Sequence, residues 1–101
     1  MSDVTVTITF SSGSYQYSNN PNQSTYTSPS VTFTNSSGGD ITLYYKWANA
    51  AMTQHMDINN NDSGGPVSTP AYMGNLECNA VAKGSSNPST WSHVIHVGSG
   101  G

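Results

Sequence analysis

"VTFTNSSGGDITLYYKW", residues 31–47, is the stretch whose reading decides the fold class. Val31 and Phe33 alternate with Thr32 and Thr34, and Ile41, Leu43, Tyr45 and Trp47 alternate with Thr42, Tyr44 and Lys46. A period of two is the mark of a half-buried strand, because successive side chains leave opposite faces of the sheet. The intervening Ser36-Ser37-Gly38-Gly39-Asp40 is turn chemistry. The segment therefore predicts a β-hairpin, the strongest hairpin signal in the chain.

The same period extends in both directions. Upstream, Val4, Val6, Ile8 and Phe10 alternate with Thr5, Thr7 and Thr9, which predicts a strand with an apolar inner face and a threonine outer face. "YQY" at 15–17 follows a "SSGS" turn, and "SNNPNQS" at 18–24 reads as a loop. Downstream, "ANAAM" at 48–52 suits one helical turn or a bend. "TQHMDI" at 53–58 reads as a strand with His55 and Asp57 on one face, and Met56 and Ile58 on the other. "NNNDSGGPVSTP" at 59–70 reads as a long loop. "NLECNAVAK" turns Leu76, Cys78, Ala80 and Ala82 inward, and "WSHVIHV" turns Trp91, His93, Ile95 and Val97 to one side.

Six to eight short strands with frequent turns and no amphipathic helix predict an all-β, two-sheet antiparallel β-sandwich or jelly roll. At 101 residues the chain suits one domain, with residues 1–98 forming the sandwich and 99–101 a flexible tail. The threonine pairs at 5–7–9, 25–27 and 32–34 are unevenly spaced, so no solenoid repeat is expected.

Composition narrows the partners. Ser, Thr, Asn and Gln supply 42 residues, whereas charged residues are 7% of the chain, and Lys46 and Lys83 are its only Lys or Arg. With a net charge of −3, the chain lacks the cations that a phosphate backbone requires. Nucleic acid and anionic membrane surfaces are excluded as natural partners, and uncharged, hydroxyl-rich ligands fit better. Cys78 stands alone, so no internal disulfide forms. The N-terminus has neither a basic region nor an apolar run, and no stretch approaches the ~18 apolar residues of a spanning helix. A cytoplasmic or non-classically released chain, or one trimmed of a leader, is the expectation.

Two motifs fall in the 57–66 region. Asp62-Ser63-Gly64-Gly65-Pro66-Val67 resembles the string around the nucleophile of trypsin-like serine proteases. That resemblance implies Ser63 as the nucleophile. The glycine that in that family precedes the Asp is Asn61 here, and 62 residues leave no room for the first barrel that carries the family's His and Asp. A turn is the better reading, and no catalytic residue is expected. Asp57, Asn59 and Asn61 occupy the first three ligand positions of a calcium loop, with Asp62 beside them, so calcium is a candidate ligand of Asp57, Asn59, Asn61 and Asp62. The pattern then departs, because Asp62 stands where an EF-hand needs glycine and Ser68 where it needs the closing Glu. His93 and His96, three apart, fall on opposite faces of a strand and cannot share an ion without a bulge.

The tyrosines carry the functional expectation. Tyr15, Tyr17, Tyr26 and Tyr44 lie among Asn, Ser and Thr. A phenol ring offers an apolar face to the C–H side of a pyranose, while amides bond its hydroxyls. With Asn59 and Asn61 they form the expected ligand-binding set of a non-enzymatic, lectin-like module for neutral carbohydrate, working as a homo-oligomer. The alternatives are a structural subunit of a virion, tail fibre, filament or surface assembly, and a small membrane-acting sandwich that binds neutral lipid or sterol.

Overall fold

A computed structural model describes residues 4–18, 30–68, 74–88 and 90–95. These residues form eight strands: β1 Val4–Ser11, β2 Ser14–Tyr17, β3 Ser30–Asn35, β4 Ile41–Trp47, β5 Gln54–Ile58, β6 Ser63–Ser68, β7 Leu76–Ala82 and β8 His93–Ile95. They pair in two four-stranded sheets, ordered β2-β1-β3-β6 and β5-β4-β7-β8, and so make the expected all-β sandwich. Among the described residues no helix is long and apolar enough to cross a membrane.

The period-two pattern sets the two inner faces. Val6, Ile8, Val31, Phe33 and Val67 from the first sheet meet Ile41, Leu43, Ile58, Leu76, Cys78, Ala80 and Ile95 from the second, all buried. Tyr45, Trp47 and Met56 close the margins of this core. Apolar burial of this kind supplies the main stabilisation, on the order of 2 kcal/mol for each fully buried Leu, Ile, Val or Phe. Cys78 is one of these core residues, and burial pushes its thiol far above its ordinary range, so it behaves as an inert small hydrophobe.

Three expectations are corrected. First, residues 31–47 are not a hairpin. β3 and β4 belong to different sheets: β3 pairs with β1 and β6, and β4 pairs with β5 and β7. The deciding residue is Asn35, which is fully buried at the end of β3. Its Nδ2 donates to Gly39 O at 2.8 Å and to Ile58 O at 2.9 Å. Its Oδ1 accepts the Ser37 amide and the Ser37 hydroxyl. A single buried amide thus fills the hydrogen-bonding needs of a chain that arches from one sheet to the other.

Second, the loop expected over 59–70 contains a strand, Ser63–Ser68, and its last two positions lie outside the described residues. Residues 59–62 turn, with Asp62 N–H bonded to Asn59 O and Asn61 at a φ of 65°. Ser63–Ser68 then pairs with β3 through an irregular register between Val31 and Phe33. Gly64 leaves room there for two inward side chains, since a Cβ would lie 2.5 Å from Met56 Sδ and 2.8 Å from Ile58 Cδ1 and one of them would have to shift. This second arch stacks on the first: Gly38 N–H donates to Asn60 Oδ1 at 3.0 Å, and Asn60 N–H donates to Asp40 Oδ1 at 2.9 Å.

Third, Phe10 is 49% exposed, although it continues the inner face of β1. The Tyr15 ring, directly across on β2, packs edge-on against it with centroids 4.9 Å apart. One pairing also departs from the antiparallel plan. β1 and β3 run parallel, placing Thr5 beside Thr32 and Thr7 beside Thr34 on the outer face, and the 48–52 segment is a bend rather than a helical turn.

Candidate functional site

The sandwich opens along the side where β2 and β8 form the sheet edges. β8 is three residues long and faces β7 only from Leu76 to Cys78. β7 continues without it to Ala82. Across the gap stands β2, the edge strand of the other sheet. Between them lies a groove of about 450 Å³, walled on its third side by the segment that joins β7 to β8. That volume falls within the ~300–1,000 Å³ range of small-molecule sites.

Tyr15 and Tyr17 line the groove from β2. They have different tasks. The Tyr17 ring stacks on His93 with centroids 4.7 Å apart and planes 10° from parallel. Its hydroxyl accepts the Ala80 amide proton at 2.9 Å and shares a 2.7 Å hydrogen bond with the Ser92 hydroxyl. It thereby satisfies the β7 edge that β8 fails to reach. Burial raises the Tyr17 phenol above its ordinary value, and the two hydrogen bonds only partly offset this. Tyr15 is half-buried, with its ring braced by Phe10.

Asn79 shapes the opposite wall. It is buried on β7, and its Nδ2 donates to Thr90 O at 2.8 Å and to Asn87 Oδ1 at 3.1 Å. Its Oδ1 accepts the Ser92 amide at 2.7 Å. With both donors and its acceptor engaged, Asn79 holds the 87–92 segment in place. Ser85, Thr90 and Ser92 are the polar lining of this side, with Pro88 and Ala82 as apolar lining. Among the described residues no Asp, Glu, Lys, Arg or His side chain lines it.

The structure divides the tyrosines and amides singled out above. Tyr15 and Tyr17 come together in the groove. Tyr44 lies elsewhere, on the outer face of β4, where its hydroxyl donates to Ser85 O at 2.7 Å and its ring sits 5.8 Å from His55. Asn59 and Asn61 are exposed in the turn between β5 and β6, away from the groove. Tyr26 lies outside the described residues, as does His96. Of the calcium set, Asp57 projects from the outer face of β5 and accepts the Thr42 hydroxyl at 2.7 Å. Asp62 accepts the amide of Ser63 at 2.9 Å. Among the described residues no group of three or more His, Cys, Asp or Glu is gathered around one point. Ser63 starts β6, and its hydroxyl pairs with that of Thr34 at 3.0 Å.

Residues the sequence did not single out complete the groove: Asn79, Ser85, Pro88, Thr90 and Ser92. Their one signal was length, since the polar segment from Lys83 to Ser92 far exceeds what a tight hairpin needs. The chain matches no protein-family model, no curated protein and no solved structure.

Proposed function

We propose that this chain is a small non-enzymatic binding module that holds a neutral carbohydrate in the groove between β2 and β7. The observation that carries the reading is the lining: Tyr15 set among Ser14, Ser85, Thr90 and Ser92, with no charged side chain among the described residues that line it. An aromatic ring and apolar patches suit the C–H face of a pyranose, and hydroxyls that both donate and accept suit its hydroxyls. An uncharged lining disfavours acidic sugars, whose carboxylate or sulfate would be desolvated without a partner. The groove is open, so single-site affinity would be modest, and more than one copy per assembly would add avidity.

A glycan array probed with and without a chelator tests this. Binding to neutral glycans that survives chelation supports the groove. Binding lost on chelation would move the site to Asp57, Asn59, Asn61 and Asp62 with calcium, and an empty array in both conditions would end the carbohydrate reading.

A further inference from the structure

We infer that two copies of this chain join edge to edge along β5, as an antiparallel two-fold pair in which His55 of each copy lies opposite Asp57 of the other. The four sheet edges are not equally guarded. β6 carries Pro66, which has no N–H to offer, and a Gly65 at a φ of 105°. β8 is three residues long, and β2 is four and borders the groove. β5 is five residues long, with neither the proline nor the lysine that proteins place on edges to block pairing.

The residues on β5 are self-complementary. His55 and Asp57 are both exposed, and both lie on the outer face, opposite Tyr44 and Thr42 of β4. Pairing β5 with a second β5 about a two-fold through Met56 sets His55 against Asp57 twice. Shifting the two-fold to His55 sets histidine against histidine, and shifting it to Asp57 sets carboxylate against carboxylate. An imidazole N–H opposite a carboxylate acceptor stabilises an antiparallel pair, whereas two opposed carboxylates repel and two opposed imidazoles gain no carboxylate partner, so the Met56-centred register is favoured. Both side chains are already held for the contact: Asp57 by the Thr42 hydroxyl at 2.7 Å, and His55 by the Tyr44 ring. The result is one continuous sheet of eight strands with an isologous seam. β5 and β8 are opposite edges of the sheet, so both grooves stay open in the pair.

Sedimentation equilibrium on the unsubstituted protein, His55→Asp, Asp57→His and the double exchange tests this. The unsubstituted protein should dimerise, each single exchange should raise the dimer dissociation constant about tenfold or more, and the double exchange should bring it back to within about threefold. Near-UV circular dichroism confirms that each variant keeps its fold. Amide hydrogen exchange on the unsubstituted protein gives a second readout, in which β5 amides should gain protection as concentration rises. A protein that stays monomeric, a dimer indifferent to all three exchanges, or β5 amides whose protection ignores concentration would each overturn the interface.

Discussion

Tyr17 and Ser92, 75 positions apart, meet hydroxyl to hydroxyl at 2.7 Å and tie the edge of one sheet to the segment that walls the groove on the other. The same Tyr17 oxygen accepts the Ala80 amide. Tyr17→Phe removes both bonds and leaves a part-buried N–H without an acceptor. Urea denaturation should show a loss of about 1–3 kcal/mol, with carbohydrate affinity falling because the Ser92 hydroxyl loses its partner across the groove. An unchanged midpoint would mean that water replaces the hydroxyl at no cost.

The same phenol sets a pH dependence. Burial holds Tyr17 above its ordinary value of 10.0, and Tyr45 is raised by the same cause. The folded state therefore keeps these protons more tightly than the unfolded state. Their contribution is intact below about pH 10 and is lost as pH rises through the raised values. Unfolding free energies measured between pH 8 and 11 should fall at the alkaline end, and Tyr17→Phe should make that fall shallower.

Asn35 joins the two ends of the arch from a fully buried position. Asn35→Ala strips partners from the carbonyls of Gly39 and Ile58 and from the Ser37 amide, in a fully buried position. A loss of about 3 kcal/mol or more is expected. Asn35→Asp should be no better, because it keeps the acceptor, loses both donors and buries a charge. Thermal unfolding of the two variants checks the order.

Gly64→Ala tests the second arch. The added methyl would meet Met56 Sδ at 2.5 Å and Ile58 Cδ1 at 2.8 Å, an overpacking that costs about 1–3 kcal/mol. Trimming Met56 in the same chain should recover part of it, so the two substitutions should be non-additive. Ser63→Ala, by contrast, removes one exposed hydroxyl pair with Thr34 and should change stability by less than about 0.5 kcal/mol.

These residues also show what was legible in the sequence. Alternation located β1, β3, β4, β5 and β7 and put His55 and Asp57 on one face, because the pleat ties face to position directly. It could not show that residues 31–47 arch between sheets. Ser, Gly and Asp serve a hairpin and an arch equally well, and the difference lies in Asn35 bonding Ile58 O, 23 positions away. Asp62-Ser63-Gly64-Gly65-Pro66 read as loop because each residue is a turn former. It is strand because Ser63–Ser68 pairs with β3, a partner distant in sequence, and Gly64 leaves room there for Met56 and Ile58. Tyr15 and Tyr17 announced the groove through their polar surroundings, while its far wall depends on Asn79, a strand residue that bonds a segment 8 to 13 positions further on.

The most direct measurement is calorimetric titration of a neutral glycan identified on the array against the unsubstituted protein, Tyr15→Ala and Asn59→Ala. Loss of the Tyr15 ring should weaken binding by about tenfold or more, the scale of one stacked aromatic contact, while Asn59→Ala, an exposed turn residue outside the groove, should bind as the unsubstituted protein does. Undiminished binding by Tyr15→Ala, or a loss confined to Asn59→Ala, would contradict the placement of the site in the groove between β2 and β7.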